Sequence, residues 1–126
     1  MTTDELDTVT DDEMLRITNA FIATSNALGD AILALKRVEA VTFDHDELDD
    51  VVLQRRQLED DYAANERSFL AFTDGDIGMH PPTDDDVAAI VQVAGQLAVL
   101  TQQKAEAAAV IQLANKINAA FQDIRP

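Results

Sequence analysis

Apolar side chains recur at alternating steps of three and four residues along most of the chain, and this spacing constrains the fold more than any other feature. It places apolar side chains on one face of an α-helix. Thr10 and Glu13 precede the first stripe at the spacing of a capping box, in which each side chain accepts a hydrogen bond from the other residue's backbone. The spacing predicts a first helix over residues 11–41. A close contact with another helix is expected at Gly29, because glycine costs about 1 kcal/mol of helix propensity there. The stripe consists of Met14, Ile17, Phe21, Thr24, Leu28, Ala31, Leu35 and Val38.

A second helix is predicted over residues 45–73, after a short connection that offers Asp44 or Asp46 as the N-cap. Two positions of its stripe are polar, Arg55 and Asn65. Because a buried polar side chain without a partner is costly, we expect this helix to turn both residues towards its rim. The other stripe positions are Leu48, Val51, Leu58, Tyr62, Phe69 and Phe72.

A loop over residues 73–82 contains two of the four glycines and two of the three prolines, and Thr83 after it is the expected cap of a third helix. One apolar stripe runs from Ile90 to Leu100, and a second begins at Val110. The change of stripe has two interpretations: one long helix whose stripe drifts, or a break near residues 102–104.

These patterns predict an all-α fold, namely an antiparallel three-helix bundle with a long third helix, or with that helix kinked into a fourth. The domain organisation we expect is a disordered acidic N-terminus over residues 1–9 and one helical-bundle domain over residues 10–126. A third helix that ran to residue 124 would be longer than the first two helices and would extend beyond them. Its tail would then fold back or pack on a second chain, and the absence of a turn signal favours the second option. The expected homodimer associates through the third helix at Val110, Leu113, Ile117, Phe121 and Ile124.

Charge and composition exclude several function classes. The net charge is −15, which argues against direct binding to nucleic acids or to an anionic membrane surface, since both need Lys and Arg. There is no cysteine, and therefore no disulfide or thiol chemistry. The longest uncharged run, residues 87–103, contains several polar residues and is shorter than the roughly 20 apolar residues of a membrane-spanning helix. The N-terminus lacks the pattern of a signal peptide, so a cytoplasmic location is expected.

The residues that carry enzyme chemistry do not form a recognisable constellation. Both histidines, His45 and His80, fall in or beside predicted connections, and no Glu-x-x-His pair of a di-metal bundle occurs. The loop that starts at Asp74 resembles a calcium loop in its first residues, but Met79 occupies the position that requires glycine. We therefore expect no catalytic, cofactor or metal site, and no enzyme.

The acidic residues are concentrated in the first two thirds of the chain. Residues 1–86 contain 22 acidic and 6 basic residues, whereas residues 87–126 contain 2 and 3. In an up-down-up bundle the starts of the first and third helices share one end with the loop after the second helix. That end, the acidic pole, is the predicted partner-binding surface, whereas Lys36, Arg37 and Arg125 are expected at the opposite pole. The acidic pole comprises Asp11, Asp12, Glu13, Asp74, Asp76, Asp84, Asp85 and Asp86.

Three interpretations follow from this distribution. The first is a non-enzymatic inhibitor or immunity-type protein, of the kind found in bacteria and phages, that blocks a basic toxin or nucleic-acid-handling protein. The second is a helical chaperone or assembly adaptor for a secreted or structural protein, which would hold an amphipathic partner helix with its apolar tail. The third is that the acids only complement helix dipoles and keep the protein soluble, or adapt it to salt.

Overall fold

Four α-helices, and no strand, make up the part of the chain that the structure describes. The computed structural model describes residues 9–102 and 106–125. We number the helices α1 (Asp11–Val41), α2 (His45–Thr73), α3 (Asp84–Gln102) and α4 (Ala107–Gln122). The all-α class and the bounds of the first two helices are confirmed, while the predicted N-terminal disorder falls, apart from Val9, outside the described residues. Among the helices described, none has the length and apolar character that crossing a membrane requires.

Side-chain caps fix where the first three helices begin. The Thr10 and Glu13 side chains each accept a hydrogen bond of 3.1 Å from the other residue's backbone N–H, which confirms the capping box. Asp44 accepts a bond of 3.0 Å from the backbone N–H of Glu47 at the start of α2. Thr83 accepts one of 3.1 Å from the backbone N–H of Asp86 at the start of α3. These local interactions explain why the sequence located the three starts correctly.

The predicted long third helix is two helices in the structure. α3 ends at Gln102, α4 begins at Ala107, and α4 packs against α3 and α1. The backbone N–H of His80, just before α3, donates a hydrogen bond of 2.7 Å to the carbonyl of Ile124, just after α4. This bond places the end of α4 beside the start of α3, so the two helices run in opposite directions. The last segment of the chain therefore returns along α3.

The seam that we assigned to self-association is covered by the chain's own helices. The side chains of Val110, Ile117, Phe121 and Ile124 are buried, and Leu113 is half-buried. The expectation that a second chain covers them is corrected, because α4 turns its apolar face towards α1 and α3 instead. The same folding back explains why a seam with no turn signal before it needs no external partner.

α1 is the helix around which the others assemble. It contacts α2, α3 and α4, whereas α2 and α3 do not touch within the described residues. The Phe21 ring of α1 stacks on Phe69 of α2 with the ring centroids 4.1 Å apart, and it lies 5.9 Å from the Phe121 ring of α4. One aromatic layer therefore joins three helices near the acidic pole.

The two polar stripe positions of α2 have different environments. The partly buried Arg55 guanidinium donates hydrogen bonds to both carboxylate oxygens of Glu39, at 2.5 and 3.1 Å, and one of 2.6 Å to Glu59. The bond to Glu39 is the main reason that the pKa of Arg55 is raised. Asn65, in contrast, is only 1% exposed. The prediction that Asn65 turns to the rim is therefore wrong. Its amide donates a hydrogen bond of 2.9 Å to the buried Asn118 of α4.

The interior Gly29 does not mark a close contact within the chain. No atom of the described structure lies within 4 Å of the point where a Cβ of Gly29 would be. The predicted helix contact at this position is therefore wrong for the packing of a single chain. Gly29 lies instead on the outer side of α1.

Thr24 of α1 gives a first test of the core. Its side chain is fully buried, and its hydroxyl has no hydrogen-bond partner among the described residues. Thr24→Val keeps the shape of the side chain and removes the polar atom, so we expect it to raise the free energy of unfolding by about 1–2 kcal/mol. Urea unfolding followed by circular dichroism measures the change. A variant less stable than the parent would show that the hydroxyl does form a stabilising bond.

Candidate functional site

The acidic pole assembles from three separate segments of the chain. Arg16 of α1 donates a hydrogen bond of 2.8 Å from Nε to the carbonyl of Pro82, which fixes the start of α1 beside the start of α3. Glu13 lines the same cavity as Asp76, so the loop after α2 lies at this end too. The structure therefore brings the predicted partner-binding residues to one end of the molecule. All of them are exposed except Glu13, which is half-buried.

Arg16 belongs to the candidate site, although the sequence patterns did not indicate it. One of its terminal nitrogens lies 3.9 Å from a carboxylate oxygen of Asp84, while the Asp84 side chain is 90% exposed. An exposed pair at this distance is weak, so the main role of Arg16 is the bond to the Pro82 carbonyl. The only signal in the sequence is that Arg16 follows the three acids of the first turn of α1.

Arg125 lies at the acidic pole, and not at the opposite pole as predicted. The bond between His80 and the carbonyl of Ile124 brings the end of the chain back to this side of the molecule. The reason is that α4 runs in the opposite direction to α3, so the last segment ends beside the start of α3. Arg125 also acts on Asp61 of α2: burial raises the pKa of that carboxyl, and the positive charge of Arg125 opposes the shift.

A cavity of about 680 Å³ opens at the acidic pole. Its walls combine apolar groups, among them Phe72 and Met79, with the carboxylates of Glu13 and Asp76. Such a lining suits a lysine or arginine side chain, whose apolar stem packs on the walls while its charged head meets the carboxylates.

The helix cap stabilises the ionised form of the Glu13 side chain. The hydrogen bond from the backbone N–H of Thr10 is the main cause of the lowered pKa of Glu13, and the Thr10 side chain and the charge of Arg16 add to it. Glu13 therefore keeps its negative charge at more acidic pH than an ordinary glutamate does.

The carboxylates of the acidic pole are spread over its surface. In the described residues, no three side chains of His, Asp or Glu are arranged so that they could hold a metal ion together. Asp74 and Asp76 are on the loop, while Asp84, Asp85 and Asp86 line the first turn of α3. This arrangement offers many separate contacts to a large basic surface.

Of the protein-family models, curated proteins and solved structures with which the chain was compared, none matches it.

Proposed function

We propose that this is a cytoplasmic, non-enzymatic protein that binds a basic protein partner through the acidic pole, as an inhibitor or immunity-type protein. The observation that carries the proposal is the gathering of eight carboxylates, from three segments of the chain, at one end of the molecule. The partner class is a toxin or a nucleic-acid-handling protein, because such proteins present Lys and Arg to bind phosphate. The carboxylates occupy that surface in place of phosphates.

The charge distribution favours rapid association with such a partner. The acidic pole contains several exposed carboxylates within a few helical turns, and the nearby Arg16 is engaged by the Pro82 carbonyl. A concentrated field of one sign steers an oppositely charged partner and orients it before contact. The cavity between Glu13 and Phe72 then accepts a basic side chain of the partner.

The carboxylates of the acidic pole differ in whether they take part in a helix cap. Thr83 and Asp86 exchange hydrogen bonds of 3.0 and 3.1 Å at the start of α3. Asp86 is thus part of the fold, whereas Asp74, Asp76 and Asp85 have no side-chain hydrogen bond or ion pair within the described residues. These last three carboxylates can be neutralised without removing a cap.

The test compares two triple variants that change the net charge equally. Asp74→Asn, Asp76→Asn and Asp85→Asn are combined at the acidic pole. Asp46→Asn, Asp49→Asn and Asp50→Asn, at the exposed start of α2, form the matched control. The probe is a synthetic peptide of alternating lysine and alanine, titrated into labelled protein and followed by NMR. We expect the acidic-pole variant to bind about tenfold more weakly, since three exposed ion pairs contribute about 0.5 kcal/mol each.

The control variant and the salt dependence decide the outcome. The control is expected to lose no more than about threefold, and binding by the parent is expected to fall steeply as salt shortens the Debye length below about 10 Å. Equal affinities of the two variants in low salt would contradict a localised binding surface. Binding that ignores salt would contradict the electrostatic mechanism.

A groove at the opposite pole favours the adaptor as the second candidate. It measures about 770 Å³ and lies between the end of α1 and the starts of α2 and α4, with Val41 and Ile111 on its walls. Phe43 of the α1–α2 connection is 92% exposed. The residues that we expected to hold a partner helix are in the core, so this groove takes their place in the adaptor hypothesis. Titrated with an amphipathic helical peptide of leucine and lysine, an adaptor would show amide shifts around Val41 and Phe43 that persist in high salt.

A further inference from the structure

The outer side of α1 carries a row of exposed apolar side chains. Leu15 is 58% exposed, and Ile22 and Leu33 are each 49% exposed. Their spacings of seven and eleven residues correspond to nearly whole numbers of helical turns, so the three lie along one line. Val91 and Val99 of α3 are exposed as well. Aligned exposed apolar side chains of this kind are a feature of surfaces that take part in protein–protein contacts.

α3 extends the same surface. It runs parallel to α1, because the starts of both helices meet at Arg16 and Pro82, and Leu33 lines a cleft with Ala98 farther along. Leu33 and Ala98 lie at about the same height along the bundle axis. Because the two helices are parallel, Val91, seven residues before Ala98, lies at about the height of Asn26, seven residues before Leu33. Residues 87–102 contain no charged residue. Beyond its first turn, α3 therefore adds an uncharged strip beside the row of α1, on a molecule of net charge −15.

Charges of opposite sign stand at the two ends of the row on α1. Asp11 and Asp12 precede Leu15, and Lys36 and Arg37 follow Leu33; all four side chains are exposed. Asp12 and Lys36 are equally far from Thr24, as are Leu15 and Leu33. When two copies of the row are placed side by side in opposite directions, acidic residues therefore face basic ones and apolar residues face each other.

We propose that a second copy of this chain packs on this face, antiparallel and related by a two-fold axis level with Thr24. Residues equally far from the axis then meet across it: Asp11 and Asp12 of each copy face Arg37 and Lys36 of the other. Leu15 faces Leu33. The remaining exposed acid of α1, Asp30, is opposite Thr18, so no like charges meet along the α1 rows.

Two observations support a second copy as the occupant. Each copy is strongly acidic, so repulsion opposes association everywhere except where acids are absent or are met by Lys and Arg. In addition, Gly29 on this face has no atom of the described structure within 4 Å of the position of a Cβ. A glycine in a helix lets the backbone of another helix approach closely, a role that no contact within the chain gives to Gly29.

The experiment exchanges the charges at the ends of the row. One variant combines Asp11→Lys with Asp12→Lys, and the other combines Lys36→Glu with Arg37→Glu. In an antiparallel pair each variant alone places like charges opposite each other, whereas a mixture restores every ion pair. Native mass spectrometry and light scattering are carried out at roughly 100 µM, where a dimer of micromolar affinity is formed. We expect the parent to be a dimer, each variant to dimerise at least about tenfold more weakly, and the mixture to form a one-to-one heterodimer.

Three results would overturn the proposal. They are a monomeric parent at this concentration, variants that each dimerise like the parent, and a mixture that stays monomeric while both variants keep their helical circular dichroism. Ile22→Asp, at a half-exposed position near the axis, is a second test: it is expected to give a folded monomer, and a folded dimer would contradict the pairing. The dimer would engage Asp11 and Asp12 and leave the other six carboxylates of the acidic pole to a partner. The two proposals can fail separately, because the acidic-pole variant leaves Asp11 and Asp12 unchanged and is expected to remain dimeric.

Discussion

Phe121→Ala is expected to lower the free energy of unfolding by about 3–5 kcal/mol, one of the largest effects that a single substitution has in this protein. The Phe121 side chain is fully buried, and its ring centroid lies 5.9 Å from that of Phe21. Its removal would open a cavity where α4 meets α1. Chemical unfolding at several protein concentrations measures the loss and shows whether it belongs to the single chain.

Phe43→Ala is the matched control for this prediction. It makes the same chemical change at a side chain that is 92% exposed, so we expect the free energy of unfolding to change by less than about 0.5 kcal/mol. A Phe121 variant as stable as the Phe43 variant would show that α4 does not belong to the core. That result would favour the role that the sequence alone suggested for the last segment, namely a tail that packs on a second chain.

The starts of α1, α2 and α3 could be predicted because their signals are local. Thr10 and Glu13 are three residues apart and bond to each other directly, and Thr83 and Asp86 repeat the arrangement at α3. A capping interaction depends on a few neighbouring residues, so it can be recognised in the sequence without knowledge of the rest of the fold.

The reversal of direction from α3 to α4 could not be predicted in the same way. Neither glycine nor proline occurs in residues 96–125, and no side chain among the described residues caps the start of α4. The apolar face of α4 is satisfied by α1 and α3, which are distant in the sequence. Packing against distant residues decides whether this segment forms one continuous helix or two antiparallel ones. The periodic pattern of apolar residues is equally compatible with both.

The residues of the candidate site, too, could be predicted only in part. The acidic residues of the pole could be predicted, because helices that alternate in direction bring those segments to one end. The roles of Arg16 and Arg125 could not. Arg16 bonds to the carbonyl of Pro82, 66 residues away, and Arg125 follows the unexpected reversal of the chain.

Asn65 shows why a polar residue in an apolar stripe is ambiguous. Without a partner it would turn to the rim, and with one it can be buried. The partner, Asn118, is 53 residues away on α4 and falls outside the apolar stripe of that helix, so the stripe gave no sign of it. The pairing of Asn65 with Asn118 could therefore be recognised only from the position of α4 in the structure.

The Asn65–Asn118 pair gives the second large effect. Asn118→Leu would leave the Asn65 amide, 1% exposed, with neither of its polar atoms paired, because its oxygen already has no partner among the described residues. We expect a loss of about 2–3 kcal/mol in the free energy of unfolding. Asn65→Leu is expected to cost about 1–2 kcal/mol, since it leaves Asn118 unpaired but also removes the unsatisfied oxygen of Asn65. The double variant replaces both amides by apolar groups of similar size and is expected to be close to the parent in stability.

A double-mutant cycle measures this coupling directly. Unfolding free energies of the parent, both single variants and the double variant are expected to give an interaction energy of about 3–5 kcal/mol, far above the error for independent sites. Asn115→Leu, at an exposed position of the same helix, is the control and is expected to change stability by less than about 0.5 kcal/mol. Additive single effects would show that the two amides are not paired. A double variant that is as unstable as the sum would then place α2 and α4 farther apart than the 2.9 Å bond between their side chains requires.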